Sequence, residues 1–263
     1  MPNKLAIVTG ASTGIGFELA TLAAKDGYDV IVVANEPLID AAAQDFKQFG
    51  TQVTSVEADL ATLEGVDTLL AATNGRPVDV LCANAGKGLG HAFLDQRVED
   101  WRRVIDTNIT GTIYLLQKVL KEMVARGEGK VLVTGSIAGY LPGSFQAVYN
   151  STKSFVDYFT DAIRDEIKET KGVTITTLKP GPVDTEFFAR GDMLDTSVGD
   201  PESDSRRDPA LVAKDGWDAM NRGDESIFSG LSVKVQGMLA NVLPAKVLAA
   251  MHRNMAEPGT AKG

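Results

Sequence analysis

Short apolar runs bounded by turn residues alternate along this chain with longer stretches in which apolar side chains recur every three or four positions. Leu5-Ala-Ile-Val-Thr9, Asp29-Val-Ile-Val-Val33, Gln52-Val-Thr-Ser-Val56, the run from Val78 to Ala83, Lys130-Val-Leu-Val-Thr134 and Val173-Thr-Ile-Thr-Thr-Leu178 have the length and composition of buried β-strands. Helical periodicity predicts helices near 15–26, 38–49, 62–72, 98–126 and 147–171. Strands buried on both faces and separated by helices require right-handed βαβ crossovers. The expected fold is therefore α/β: a doubly wound, mostly parallel sheet in a three-layer αβα arrangement, with residues 1–263 in a single domain.

The pattern weakens near residue 186. Asp192 to Asp208 is polar, acidic and aperiodic, so residues 186–209 are expected to form a mobile insertion beside a substrate pocket. Ser226-Ile-Phe-Ser229 reads as a last strand. Leu231, Val235, Met238, Leu239 and Val242, then Val247, Leu248 and Met251, form the apolar stripe of an amphipathic helical extension over 231–256. That stripe suits a lid over a pocket, a subunit contact or a shallow membrane attachment. Packing against the body or a sister subunit is favoured over the membrane, for reasons of charge.

The chain carries 35 acidic and 26 basic side chains, a formal charge of −9, which argues against nucleic acid or an anionic membrane as partner. Small or neutral partners fit better. The single cysteine, Cys82, lies in a predicted strand, so no disulfide can form within the chain and a buried thiol is expected. His91 and His252 are too few and too far apart in sequence to suggest a metal centre, and none is expected. The chain begins without the apolar core of a signal peptide and has no apolar stretch near the roughly 20 residues that span a bilayer. A cytoplasmic location is the expectation.

Two clusters carry candidate chemistry. The first strand runs into Thr9-Gly-Ala-Ser-Thr-Gly-Ile-Gly16 and then a helical segment. Glycines there permit a sharp turn and a close backbone approach to a pyrophosphate, stabilised by the free amides of a helix N-terminus; they equally permit tight strand-to-helix packing. The second is Tyr149-Asn-Ser-Thr-Lys153, with Ser136 thirteen residues earlier. Positions i and i+4 share a helix face, so phenol and ammonium can enter one cleft. A cation about 4 Å away at an effective dielectric near 20 favours the phenolate by about 4 kcal/mol, roughly three pKa units before desolvation opposes it.

Thr9-Gly-x-x-x-Gly-x-Gly16, Asn84-Ala-Gly86, Asn108, Ser136, Tyr149-x-x-x-Lys153 and Pro180-Gly181 occur in the order that resembles the short-chain dehydrogenase/reductase superfamily, in its shorter form of one Rossmann-like domain. The resemblance implies an NAD(P)(H)-dependent oxidoreductase that interconverts a carbonyl and an alcohol by hydride transfer. Tyr149 would be the general acid/base, Lys153 would depress its pKa and bind the nicotinamide ribose, and Ser136 would donate to the substrate oxygen. Asn108 would hold a water of a proton relay; a buried Asn satisfying a helix kink is the other reading. Gly10, Ser12, Thr13, Gly14, Ile15 and Gly16 would cradle the dinucleotide. Asn35 would lie near its ribose, Asp59 and Leu60 would flank adenine, and Asn84, Ala85 and Gly86 would support the cofactor. Pro180, Gly181, Val183 and Thr185 would orient the carboxamide.

NAD(H) is favoured over NADP(H), because Ala34, Asn35 and Glu36 end the second strand with no basic residue nearby in sequence to take a 2′-phosphate. The implied partners are a small carbonyl or alcohol substrate and a sister subunit, as a dimer or tetramer. A dinucleotide-sensing regulator without turnover is the alternative function, with an epimerase or dehydratase also open. In the loops of the substrate pocket, Lys87 and His91 could receive a carboxylate or phosphate, although solvated surface positions are favoured for them, and Tyr140, Leu141 and Phe145 suggest an apolar wall; they name no molecule.

Overall fold

A computed structural model describes residues 3–203, 206–240 and 242–261. β1 (Leu5–Thr9), β2 (Asp29–Ala34), β3 (Val53–Glu57), β4 (Val80–Ala83), β5 (Gly129–Thr134), β6 (Val173–Pro180) and β7 (Ser226–Ser229) form one sheet of order β3-β2-β1-β4-β5-β6-β7, and every pairing is parallel. Parallel neighbours require crossovers, and helices fill them on both faces. Alternation along β1 feeds both: Ala6 and Val8 join a core with α1 (Gly14–Lys25), α2 (Leu38–Lys47) and α8 (Pro209–Arg222). Leu5 and Ile7 join the opposite core with α3 (Leu63–Ala71), α5 (Thr112–Arg126) and α6 (Ala147–Glu166). The chain leaves β1 in one direction to build β2 and β3 and returns on the other side with β4. The crevice at that reversal lies at the carboxyl ends of the strands.

The helix expected over 98–126 is divided. α4 (Val98–Ile105) passes through a π-helical turn at Asp106–Gly111 before α5 begins. The cause is local crowding: a Cβ on Gly111 would sit 1.8 Å from the Leu60 carbonyl oxygen, so only glycine lets the helix pass this close to the loop after β3. The wider turn also places Asn108 inward, where it is buried. The helix expected over 147–171 ends at Glu166, before the turn that leads into β6.

Residues 186–209 are not without structure. α7 (Phe187–Arg190) is a single turn, Phe188, Met193 and Thr196 are buried, and Arg207 forms a parallel bridge to Val183. Asp204 and Ser205, within this insertion, lie outside the described residues.

The C-terminal stripe is rotated from its expected direction. α9 (Leu231–Ala240) and α10 (Ala245–Ala256) bury Val233, Gly237, Leu248, His252 and Ala256, whereas Leu231, Val235, Met238, Leu239, Val242, Val247 and Met251 are exposed. Gly237 explains the rotation: a Cβ there would meet the Phe228 ring at 2.7 Å, so α9 docks on β7 through its smallest residue. Asn241, between the two helices, lies outside the described residues. No helix among the described residues is long and apolar enough to cross a membrane.

Candidate active site

The first strand-to-helix turn meets the end of β4 through Asn84. Its Nδ2 donates to the Thr9 carbonyl (3.1 Å), its Oδ1 accepts from the Thr134 hydroxyl (3.1 Å), and its own amide donates to Thr9 Oγ1 (2.9 Å). Asn84 therefore ties together the ends of β1, β4 and β5. Gly10 and Gly14 lie at φ +64° and +60°, a region that side chains rarely adopt. A Cβ on Gly16 would fall 2.0 Å from the Gly10 carbonyl, so this glycine lets α1 rise immediately behind the turn.

The turn opens on a cleft of about 1120 Å3. Gly10, Ser12, Thr13, Gly14 and Ile15 line one end with Asn35, Asp59 and Leu60; Asn84, Ala85 and Gly86 line the middle; Pro180, Gly181, Val183 and Thr185 line the side beyond β6. Ser136, Tyr149 and Lys153 stand at its floor. Two expected contacts are absent: Gly16 and Asn108 do not line the cleft. Gly16 is used in the turn itself, and Asn108 lies one layer below. The Asn108 side chain accepts from the Lys87 amide (2.8 Å) and donates to the Lys87 carbonyl (3.0 Å) and the Thr152 hydroxyl (2.9 Å). It clamps the strand-to-helix loop after β4, consistent with a buried Asn serving a distorted helix.

α6 delivers Tyr149 and Lys153 from one face, as i,i+4 spacing requires. Lys153 Nζ lies 5.9 Å from the Tyr149 ring centroid and donates to the Thr134 carbonyl (2.7 Å), while the Tyr149 ring packs 5.2 Å from that of Phe187. Burial governs both groups in the absence of a ligand. It pushes the Tyr149 hydroxyl up to about 12, opposed by the Ser136 hydroxyl, and brings Lys153 down to about 8, opposed by the Asp157 carboxylate. Desolvation governs the phenol in the ligand-free site, with the Ser136 hydroxyl opposing it, and the expected depression by the Lys153 cation is not seen. Ser136 caps the turn at Ile137–Tyr140 by accepting from the Ala138 amide (3.1 Å), leaving its hydroxyl hydrogen available.

Sequence reasoning missed two residues beneath this floor, Asp157 and Lys179, and misplaced a third, Tyr140. Asp157, one turn beyond Lys153, forms a buried ion pair with Lys179 (3.3 Å), and Lys179 donates to the Tyr140 hydroxyl (2.5 Å). Burial pushes the Asp157 carboxyl up, with the Lys179 ammonium opposing it. Following the Tyr149–Lys153 face one more turn would have found Asp157. Tyr140 consequently points at Lys179 and is no pocket wall. His91 pairs with Asp192 (2.8 Å) outside the cleft, whereas Lys87 and Leu141 line it.

At the other end, Glu36 accepts from Ser12 (2.5 Å) and pairs with Arg190 (2.9 Å), a cation distant in sequence. These partners hold the Glu36 carboxyl below its ordinary value, the Ser12 hydroxyl foremost. Asp59 is occupied by a bidentate Arg103 (2.6 and 2.8 Å). Cys82 is buried and its thiol is pushed up to about 12 by desolvation. Among the described residues no group of His, Cys, Asp and Glu side chains converges to hold a metal ion.

The cleft's glycine turn suits an anionic dinucleotide. α1 starts at Thr13 with no side-chain cap, so its first amides face the cleft without a protein hydroxyl or carboxylate upon them. A Cβ on Gly10 would meet the Ala85 Cα at 3.0 Å and one on Gly14 the Thr185 side chain at 2.8 Å, so the two glycines let the turn pack against the loops after β4 and β6.

A seven-stranded parallel sheet with a Tyr-Lys pair at its switch-point crevice defines a Rossmann-like oxidoreductase class. The family model described as short chain dehydrogenase matches residues 4–192, and the chain belongs to that family. An "uncharacterized oxidoreductase" of Staphylococcus epidermidis is 34% identical over 186 residues, covering 70% of this chain and 79% of its own. The fold is shared with a short-chain dehydrogenase from Sphingobium yanoikuyae in complex with NADPH (TM-score 0.80, 23% identity, 92% of this chain and 97% of that one). It is likewise shared with a short-chain dehydrogenase/reductase from Burkholderia phymatum in complex with NAD (TM-score 0.81, 20% identity, 90% and 92%).

Because Asn108 is buried and pairs with both the amide and the carbonyl of Lys87, Asn108→Ala is expected to lower unfolding free energy by about 2–3 kcal/mol. Urea denaturation measures it; a loss below about 0.5 kcal/mol would show that the clamp is dispensable.

Proposed function

We propose that this chain is an NAD(P)(H)-dependent oxidoreductase that interconverts a carbonyl and an alcohol, with Tyr149 as general acid/base. The observation that carries the reading is the burial of Tyr149, Lys153 and Ser136 together at the floor of a cleft whose far end is an uncapped helix N-terminus. The nicotinamide, when bound, supplies or accepts the hydride. Ser12, Thr13 and Gly14 would hold the pyrophosphate on backbone amides, Glu36 would take the adenosine ribose, and Val183 and Thr185 would fix the carboxamide.

In reduction, Tyr149 donates its proton to the substrate oxygen as negative charge develops there, and the Ser136 hydroxyl donates to the same oxygen. Lys153, held as a cation, stabilises the phenolate left behind. A phenol near 12 is protonated across the neutral range, so the ligand-free site is set as an acid. Oxidation would need the dinucleotide's positive ring to bring the phenol down. Asn108 acts through position, holding the loop that carries Gly86 and Lys87 against the end of α6.

Glu36 also supports NAD(H) over NADP(H). An ionised carboxylate accepts hydrogen bonds from a ribose diol and repels a 2′-phosphate. Arg190 tempers that argument because it brings a cation the sequence reading did not anticipate, but its charge is already paired with Glu36.

Tyr149→Phe is expected to lower kcat for carbonyl reduction by at least about a thousandfold with the dinucleotide Kd within about threefold of the parent, since the ring stays and only the acid is lost. Retention of more than a tenth of the activity would contradict the role. Persistent dinucleotide binding without turnover of any ketone, aldehyde, sugar or secondary alcohol would instead favour the sensor.

Lys153 titrates near 8 in the ligand-free protein, and only its protonated form stabilises the phenolate. Reductive kcat/KM should therefore be greatest below that pH and decline as pH rises through about 8. A rate that climbs over the same interval would reverse the assignment of Tyr149 as acid.

NADH is expected to exceed NADPH by tenfold or more in kcat/KM, and Glu36→Gln to narrow the ratio. A tenfold preference for NADPH in the parent protein would overturn this.

A further inference from the structure

The catalytic cleft does not end at Tyr149. A second cavity of about 280 Å3 lies between α9 and α10, and Leu141, Gln236, His252 and Met255 line both spaces, so the two abut. This region lies beyond residue 192, where the family match stops. We propose that the second cavity is a tail channel, and that the substrates are neutral carbonyl or alcohol compounds carrying a medium-length aliphatic chain. The reading rests on the oxidoreductase function above and adds the substrate class.

The chemistry of the walls carries the inference. Leu239, Ala240, Leu243, Leu248 and Met251 supply hydrocarbon, and among the described lining residues none bears a permanent charge. The polar members are amides and one imidazole. His252 is buried and its Nδ1 donates to the Ser144 carbonyl (2.9 Å), which fixes the tautomer and leaves Nε2 as an acceptor. Desolvation lowers its pKa, so the ring is neutral at pH 7.

An anionic tail would find no cation among the described residues of the second cavity. The arginines of the main cleft are paired, Arg103 with Asp59, Arg190 with Glu36 and Arg207 with Asp215 (2.9 Å), and the lysines Lys87 and Lys153 line the main cleft, not the second cavity. An apolar tail needs no such partner, and burying each methylene is favourable by transfer alone.

The channel is a built feature. α10 is fixed to the segment after the Ser136 turn by Ser144 Oγ donating to the Ala249 carbonyl (3.1 Å), and to the insertion after β6 by the Val198 amide donating to the Met255 carbonyl (2.9 Å). Its outer end is open: Leu239 and Met251 are 49% and 47% exposed, so a chain longer than the cavity can emerge along an apolar rim.

A homologous series from butan-2-one to dodecan-2-one, reduced with the preferred dinucleotide, tests this. We expect kcat/KM to rise by about threefold to fourfold per methylene over the middle of the series and then level off. Ala240→Trp, filling the cavity, and Met251→Glu, setting a charge in a wall exposed enough to tolerate it, should each reduce the decanone-to-butanone ratio at least tenfold. The shift in Tm produced by decan-2-one gives a readout independent of turnover: a rise in the parent protein that Met251→Glu abolishes. Turnover of short ketones with a flat series and no shift would overturn the channel and leave the oxidoreductase standing. A shift without turnover of any ketone would support the channel and sink the oxidoreductase. Absence of both would overturn the channel.

Discussion

The close approach of β1 to β4 at their carboxyl ends is the constraint on which the rest of this molecule depends. Chain leaving β1 must turn within contact distance of Asn84, rise at once as α1, and leave amides facing the crevice. Gly10 and Gly14 supply the left-handed turn, and Gly16 removes the side chain that would strike the Gly10 carbonyl. Asn84 satisfies the backbone that this turn strands, and through Thr134 it holds β5 in place, where Lys153 finds its carbonyl partner. One side chain thus registers the glycine-turn end of the cleft against the Tyr149–Lys153 end.

The floor of the cleft runs against folding stability. Lys153, Asp157 and Lys179 are ionisable groups in a desolvated layer, and burial works against the charged form of each. Buried ion pairs of this kind repay little of their desolvation. Asp157 favours the cationic form of Lys153 from below, and Tyr140 and Lys179 brace the turn that carries Ser136. Stability spent at an active site in this way is a common trade.

Much of the architecture was legible beforehand. All seven strands fall where apolar runs placed them, within two residues at most ends, because a parallel sheet covered on both faces demands uninterrupted apolar strands. The Tyr149–Lys153 face was equally legible, being a matter of helical spacing. Other features depended on partners remote in sequence. The π-helical turn at Asp106–Gly111 arises from the Leu60 carbonyl, and the rotation of the C-terminal stripe arises from the fit of Gly237 on Phe228. Arg190 reaches Glu36 across more than half the chain, and no local signal marks it.

Local chemistry in the sequence was sufficient to determine the parallel α/β fold, the glycine turn and the shared helix face of Tyr149 and Lys153. Period and spacing decide these, and they act over a few residues. Only tertiary structure decided the dominance of burial at Tyr149, the role of Asn108 as a clamp below the cleft, and the second cavity between α9 and α10. Desolvation depends on every atom that excludes water, and a cavity is bounded by residues more than a hundred positions apart; neither quantity is written in any one segment of the chain.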